Sequence, residues 1–196
     1  HQRQVSREHR GSEDLRERVR TPVPAYAEDV EALRRGALAR PAADRPDVLV
    51  FLDGDRSDYP AQIGDVVAPI LEGRADMVIG SRNLGRREAG AHPWHAVLGT
   101  RACVAFMNMT AGSRATDLGP FRAITWDGLH RLAMQDRDYG WTVEMQIRAA
   151  QQGVRYAEVP VSYRPRIGVS KVSGTVRGSL SAGAKILWLL GRYAWS

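Results

Sequence analysis

The chain has 196 residues, of which 43% are hydrophobic, and its formal net charge at pH 7 is +6. This size and apolar content can bury one sizeable core, which argues against two full domains and predicts one compact domain with appendages. No apolar run approaches the roughly 20 residues that span a bilayer, and the N-terminus lacks the hydrophobic stretch of a signal peptide. The composition therefore predicts a cytoplasmic protein.

The positive charge comes almost wholly from arginine, since lysine occurs only at positions 171 and 185. Such a charge favours anionic partners, namely phosphates, acidic lipid headgroups or nucleic acid, although a bias toward arginine explains it equally well. Nucleic acid is disfavoured because no basic patch is interleaved with aromatic residues. The single cysteine, Cys103, excludes an internal disulfide framework and is predicted to be a buried, unreactive thiol.

The first part of the chain is polar. Residues 1–22 contain too few apolar groups to offset the cost of ordering, which predicts a disordered or loosely helical basic tail. Residues 27–40 are predicted to form a helix, because they carry acidic side chains early and arginines late, the order that complements a helix dipole. We therefore expect the folded domain to extend over residues 23–178.

Residues 48–52 form a continuous apolar run, which is typical of a strand buried on both faces. The run leads directly into Asp53-Gly54-Asp55. In α/β sheets ligands collect at the carboxyl ends of such strands, and Gly54 permits a tight turn that lets both carboxylates converge on Mg²⁺ or Mn²⁺. A plain surface turn is the alternative, because Asp and Gly are favoured turn residues.

The following residues predict a strand–helix–strand unit. Asp58 and Pro60 provide a helix start, apolar residues recur at helical spacing over residues 63–71, and residues 75–80 form a second apolar strand. Two strands joined in this way are expected to be parallel and connected by a right-handed crossover.

Strands and helices continue to alternate down the chain, which predicts an α/β fold. Helices are expected over residues 94–110 and 126–134, with a strand over residues 121–124 between them. Another helix is expected to begin near Trp141, to have Glu144 in its first turn and to end at Gly153. The last strand, residues 154–164, contains Pro160 and is therefore expected at a sheet edge or at a bulge.

The C-terminal segment, residues 179–196, mixes leucine, isoleucine and tryptophan with basic residues. It is too short and too interrupted to span a bilayer, and it can lie as an amphipathic helix at the headgroup boundary, with Trp188 and Trp195 as anchors. A helix that packs on the core or forms an oligomer contact is the alternative.

Five ordered motifs over residues 45–192 resemble the family 2 glycosyltransferases, in the branch of the dolichyl- and polyprenyl-phosphate sugar synthases. The motifs are Val50-Phe51-Leu52-Asp53-Gly54-Asp55, Gly80-Ser81-Arg82, Thr116-Asp117-Leu118-Gly119-Pro120-Phe121-Arg122, Tyr139-Gly140-Trp141-Thr142-Val143-Glu144-Met145 and Arg164-Pro165-Arg166-Ile167-Gly168-Val169-Ser170-Lys171. The resemblance implies a Rossmann-like mixed sheet of the GT-A type. It also implies inverting transfer of a sugar from a nucleotide-sugar donor to a polyprenyl-phosphate acceptor.

The resemblance also implies roles for particular residues. Asp53 and Asp55 would hold Mg²⁺ or Mn²⁺ against the donor diphosphate, with Asp53 and Arg82 contacting the donor. Asp117 and Glu144 would face the sugar or the acceptor as catalytic residues; an Asx turn and helix-dipole complementation are their alternative roles. The remaining substrate-binding candidates are Arg122 and Trp141 and the group that would grip a lipid phosphate, Arg164, Arg166, Ser170 and Lys171.

The chain departs from the family before residue 47. The Pro24-Ala25-Tyr26 stretch resembles the family's first strand, but Ala27 stands where the family has asparagine, and no run before Asp47 matches the second strand with its nucleotide-binding acid. The nucleotide-binding half is therefore expected to be absent or divergent. Two functions stay open: a metal-dependent enzyme at the inner face of the membrane, or an inactive relative that binds a membrane surface or a protein partner.

Overall fold

The computed structural model describes residues 46–91, 94–136, 140–167, 188 and 191–192. Within these residues, four short strands form one mixed sheet: β1 (Val48–Phe51), β2 (Met77–Ser81), β3 (Arg122–Thr125) and β4 (Tyr156–Pro160). In the described ranges up to residue 167, four α-helices surround it: α1 (Ile63–Leu71), α2 (Trp94–Ala111), α3 (Trp126–Leu132) and α4 (Trp141–Gln151), with a 3-10 turn at Pro60–Gln62 before α1. The predicted elements of this part of the chain are all present.

The strand order is β1-β3-β2-β4, with β3 antiparallel to both of its neighbours and β4 parallel to β2. β1 and β2 therefore run in the same direction, as predicted, but they are not paired, because β3 is inserted between them. Phe51 and Ile79 both face Arg122 across the sheet. A mixed sheet results, and the carboxyl ends of β1 and β2 meet the amino end of β3 at one edge.

The sheet buries side chains on both faces. Val66, Val67 and Ile70 of α1 pack with alternate residues of β2 and β3 on one face. On the other face, helices α3 and α4 supply Leu129, Met145 and others against Met77, Ile79 and Ile124. Helix α2 packs on α4 through its buried residues Val104 and Met107, and Tyr156 of β4 packs against the same cluster.

The two edge strands differ in how well the sequence predicted them. Pro160 is exposed in β4, and β4 lies at one edge, as its proline predicted. The side chains of β1 contact the cores on alternate faces, as predicted for a strand that packs on both faces, but each is only half-buried. The reason is position: among the described strands β1 lies at the other edge, with a single paired neighbour.

Three predictions of the sequence lie outside the described residues: the basic tail, the helix over residues 27–40 and almost all of the C-terminal segment. Within that segment Trp188 is helical and exposed, and the Arg192 guanidinium lies 5.5 Å from its ring centroid. Cys103 is half-buried, and this partial burial raises the pKa of its thiol.

Candidate functional site

Several of the predicted site residues gather at the edge of the sheet where β1 and β2 end. Asp53 and Asp55 follow β1, Arg82 follows β2, and Asp117 precedes β3. The stretch after β4, residues 161–167, reaches the same edge, because the Arg164 N–H donates to the Ser57 carbonyl at 3.0 Å. Residues that are far apart in the sequence thus meet in one place.

The two aspartates of the Asp53-Gly54-Asp55 turn have different surroundings. The Asp55 carboxylate accepts hydrogen bonds from the Ser57 N–H at 2.9 Å and the Ser57 hydroxyl at 2.5 Å. No group within the described residues donates a hydrogen bond to the Asp53 carboxylate, which remains accessible to solvent. The surrounding protein nevertheless removes enough water to raise the pKa of Asp53, and the charge of Asp55 raises it further. Asp53 therefore presents a carboxyl group that no described residue occupies with a hydrogen bond.

Asp58 belongs to the site although the sequence marked it only as a helix start. It is 2% exposed, and its Oδ2 atom accepts a hydrogen bond from the Asp53 N–H at 3.3 Å. Its Oδ1 atom has no partner among the described residues. Burial raises the pKa of Asp58 to about 6, and the nearby charge of Asp53 adds to the effect. Its carboxyl group holds the backbone of the Asp53 turn, a role that no sequence pattern indicated.

Arg82 and Asp117 form a buried ion pair. The Asp117 Oδ2 atom accepts from the Arg82 Nε atom and the Arg82 N–H, and its Oδ1 atom accepts from Arg82 Nη2, all at 2.8–2.9 Å. Burial alone would raise the pKa of Asp117, but these hydrogen bonds and the guanidinium charge hold it below its ordinary value. Arg82 also lies over the Tyr163 ring, 5.1 Å from its centroid. Both groups are charged, and they join β2 to the turn before β3.

Arg122 is fully buried between the same turn and helix α4. Its guanidinium donates to the carbonyl oxygens of Thr142 and Gly119 and lies 5.4 Å from the Trp141 ring centroid. Trp141 in turn packs on Phe51, with ring centroids 5.1 Å apart. Burial lowers the pKa of Arg122 to about 10, so it is a cation at neutral pH. It contributes positive charge beneath the site without reaching its surface.

Glu144 is also fully buried, and it lies on the far side of helix α4 from solvent. Its carboxylate accepts hydrogen bonds from the N–H groups of Gln135 and Asp136 and from Arg148 Nε at 2.7–3.1 Å. These contacts fix the chain that leaves α3. The predicted contact with a sugar stays a prediction.

The basic stretch after β4 lies against the aspartate turn. Arg166 Nε is 3.5 Å from Asp55 Oδ2, and the Ile167 N–H donates to the Asp55 carbonyl at 2.9 Å. Arg164 Nε donates to the Arg56 carbonyl at 2.6 Å, and its guanidinium lies 4.6 Å from the Tyr59 ring centroid. Ser170 and Lys171 lie outside the described residues.

Two further observations concern metal binding and membrane spanning. In the part of the chain that the structure describes, no group of three or more His, Cys, Asp or Glu side chains is placed to hold a metal ion. Asp53 and Asp55 therefore form a two-carboxylate arrangement rather than a complete protein cage. None of the described helices has both the length and the apolar content needed to cross a bilayer.

Comparison with solved structures defines the class of fold. Glucosyl-3-phosphoglycerate synthase from Mycobacterium tuberculosis, crystallised with Mn²⁺, uridine-diphosphate-glucose and phosphoglyceric acid, matches with a TM-score of 0.59 at 18% identity. The match covers 89% of this chain and 56% of that chain. The fold is therefore the GT-A glycosyltransferase fold, as the resemblance implied.

Comparison with curated sequences gives the family. An uncharacterized glycosyltransferase of Mycobacterium tuberculosis is 38% identical over 163 residues, covering 82% of this chain and 70% of the relative. An undecaprenyl-phosphate mannosyltransferase of Micrococcus luteus is 34% identical over 142 residues, covering 67% of this chain and 56% of the relative. No family model matches the chain. The chain belongs to the glycosyltransferase family of these relatives.

The buried position of Asp58 predicts a stability effect that depends on pH. Its folded pKa, about 6, lies above the ordinary value of 3.8, so its ionisation opposes folding. This cost is absent well below pH 4, grows between about pH 4 and pH 6 and is complete above that range, where two pKa units correspond to about 3 kcal/mol. Asp58→Asn keeps an oxygen acceptor for the Asp53 N–H and removes the charge. It should therefore raise the free energy of unfolding by up to about 3 kcal/mol above pH 6.

Urea unfolding of the native chain and of Asp58→Asn across this pH range, in buffer with a chelator, measures the difference. Asp65→Asn, at an exposed position of α1, is the control for removing a negative charge. The assignment is wrong if the stability difference between Asp58→Asn and the native chain does not grow as the pH rises.

Proposed function

We propose that this chain transfers a sugar from a nucleotide-sugar donor to a polyprenyl-phosphate acceptor, with inversion at the anomeric carbon. One observation carries the proposal: the carboxylates of Asp53 and Asp55 and the basic stretch at Arg164 and Arg166 lie together at one sheet edge, with Arg166 in contact with Asp55. Such an edge offers a place for a metal-bound diphosphate beside a place for a second phosphate. The name of the Micrococcus luteus relative supports the choice of acceptor.

The two aspartates fit a divalent cation that arrives with the donor. Asp53 has an uncommitted carboxylate, whereas Asp55 is oriented by Ser57 and lies near Arg166. Mg²⁺ and similar hard cations are commonly held by one or two carboxylates together with substrate phosphates, so a third protein ligand is not required. The solved structure with Mn²⁺ and a nucleotide sugar supports this arrangement. Bound there, the cation would neutralise charge on the departing nucleoside diphosphate.

Binding and reaction of the acceptor phosphate need positively charged side chains more than they need a general base. A phosphate oxygen is already ionised at neutral pH, so electrostatic positioning contributes more to its attack than proton removal does. Arg164 and Arg166 provide planar guanidinium groups suited to two-pronged phosphate contacts. Ser170 and Lys171 follow them in the sequence, and we propose that they complete the phosphate site.

Asp117 and Glu144 are the proposed catalytic residues. Their hydrogen bonds favour a role in which they hold other residues of the site in place. Each carboxylate already accepts hydrogen bonds from an arginine and from backbone N–H groups. Asp117 keeps Arg82 beside the donor site, and Glu144 ties α4, which carries Trp141 next to Arg122, to the chain that leaves α3. Arg82, Arg122 and Trp141 then shape the donor side of the site.

The chain spans 56% of the mannosyltransferase relative and of the solved synthase that it matches. We propose that it acts at the cytoplasmic face of a membrane, where a polyprenyl phosphate is held. The glycosyltransferase relatives favour this enzyme over a non-catalytic protein that only binds a membrane or a partner.

The proposed function predicts transfer of labelled sugar from a nucleoside diphosphate sugar to undecaprenyl phosphate in detergent. Nucleoside diphosphate mannose and uridine-diphosphate-glucose are tested as donors, each with Mn²⁺ or Mg²⁺. The expected result is a labelled lipid product that disappears when a chelator is added. Donor hydrolysis without a lipid product would contradict the acceptor, and a product that forms equally well with chelator present would contradict the metal.

A further inference from the structure

Three segments of the chain meet beside the basic stretch. The backbone of Tyr163 pairs with Asp58 in antiparallel fashion and with Arg87 in parallel fashion. The Tyr163 N–H donates to the Arg86 carbonyl, and the Tyr163 carbonyl accepts from the Glu88 N–H, both at 2.9 Å. These pairings bring the next residue of each segment together, namely Tyr59, Glu88 and Arg164.

The Arg164 side chain is held on two sides. Its Nε atom donates to the Arg56 carbonyl at 2.6 Å, and its guanidinium lies 4.6 Å from the Tyr59 ring centroid. Its backbone N–H donates to the Ser57 carbonyl at 3.0 Å. No described residue accepts a hydrogen bond from its two terminal nitrogens. The guanidinium is therefore fixed at its inner end, and its outer end is available to an anion.

The charge of Arg164 is treated differently from that of the other arginines at the site. Arg82 forms an ion pair with Asp117, and Arg166 lies 3.5 Å from Asp55. Among the described residues, no carboxylate lies within ion-pair distance of Arg164, whose neighbour is the uncharged ring of a tyrosine. An aromatic face orients a guanidinium without neutralising its charge. Arg164 thus keeps its full charge for a phosphate.

Glu88 fixes the ring that orients Arg164. The Tyr59 hydroxyl donates a hydrogen bond to the Glu88 carboxylate. This hydrogen bond raises the pKa of Tyr59, so the phenol stays protonated and keeps donating at neutral pH. The contact restricts rotation of the ring and polarises the phenol, which makes the ring face more attractive to a cation.

From these contacts we infer that Tyr59 is a positioning residue for the acceptor: its ring, fixed by Glu88, holds the Arg164 guanidinium in the orientation that binds the acceptor phosphate. The inference rests on the proposed function, in which Arg164 contacts that phosphate. Tyr59 acts through Arg164 and not on the phosphate itself. A long side chain that is already oriented loses less freedom when it binds, so the ring increases affinity without making a contact of its own.

Calorimetric titration with geranyl phosphate, a short water-soluble prenyl phosphate, tests the inference without a sugar donor. Tyr59→Leu removes the ring and should raise the Kd about fivefold, the scale of one exposed contact between a cation and an aromatic ring. Tyr59→Phe is the matched control, because it keeps the ring and loses only the bond to Glu88; it should raise the Kd about twofold. Binding of a nucleoside diphosphate with Mn²⁺ should be the same in both variants as in the native chain.

Arg164→Gln shows whether Tyr59 acts through the arginine. It should weaken geranyl phosphate binding by itself, and adding Tyr59→Leu to it should weaken binding no further. Equal affinity of the native chain and Tyr59→Leu would overturn the inference, as would failure of the native chain to bind geranyl phosphate. An equal loss of geranyl phosphate and nucleotide binding in Tyr59→Leu would also overturn it, because the tyrosine would then only support the fold.

The outcome can be separated from failure of the proposed function. Absence of sugar transfer by the native chain would overturn the proposed function, while geranyl phosphate binding that depends on Tyr59 through Arg164 would still support the inference. Sugar transfer by the native chain with an acceptor KM that Tyr59→Leu leaves unchanged would support the proposed function and overturn the positioning role of Tyr59.

Discussion

Asp53→Asn is expected to lower sugar transfer by about a hundredfold or more, the scale seen when one charge-stabilising group is removed from an active site. Its carboxylate is accessible and accepts no hydrogen bond from the described residues, so a cation is its natural partner. Asparagine keeps the shape of the side chain and removes the charge that binds the cation. The loss should appear in metal-dependent binding of a nucleoside diphosphate as well as in turnover.

Calorimetric titration of a nucleoside diphosphate in the presence of Mn²⁺ measures the binding part. Asp55→Asn should also weaken binding, and it should further loosen the contacts to Ser57 and Arg166. Asp65→Asn, which removes an exposed carboxylate from α1, is the matched control and should bind as the native chain does. The site assignment fails if Asp53→Asn and the native chain release the same heat.

Asp117→Asn should destabilise the fold by about 3–5 kcal/mol, the range for breaking a buried ion pair by removing one partner. Asp117 is 1% exposed and Arg82 is 9% exposed, so the guanidinium left behind would have neither a counter-charge nor water. The pair also joins β2 to the turn before β3, so its loss loosens the edge of the sheet that carries the site.

The chain contains a control with the same chemistry at the surface. Arg155 Nε and Nη2 donate to the two carboxylate oxygens of Asp76 at 2.9 and 2.7 Å, but Arg155 is exposed. Asp76→Asn should therefore change stability little, because water screens and replaces the pair. Urea unfolding of both variants measures the contrast. Equal free energies of unfolding for Asp117→Asn and Asp76→Asn would show that the Arg82–Asp117 pair does not stabilise the fold in the way its burial indicates.

A second variant of the buried pair tests the reason for the loss. Replacing both partners with apolar residues, as in Arg82→Met/Asp117→Leu, leaves no buried charge and should recover part of the stability that Asp117→Asn loses. Sugar transfer should not recover, because the Arg82 guanidinium that is proposed to lie beside the donor is then missing.

The sequence by itself determined the elements and the aspartate turn. A continuous apolar run followed by Asp53-Gly54-Asp55 is a local pattern, and strand, turn and carboxylates are all specified within a few residues. Pro160 likewise indicated an edge strand through its own missing donor. The resemblance of the ordered motifs added the family and the fold class, both of which the comparisons confirmed.

Only the tertiary structure decided which of these residues meet. The insertion of β3 between β1 and β2, the pairing of Arg82 with Asp117 across 35 positions and the approach of Arg166 to Asp55 all depend on contacts between distant segments. Asp58 shows the same limit, since the burial that raises its pKa depends on packing, including its bridge to the distant Tyr163. Local patterns fix what a segment can form, whereas burial and long-range pairing are properties of the packed core, which exists only once the whole domain has folded.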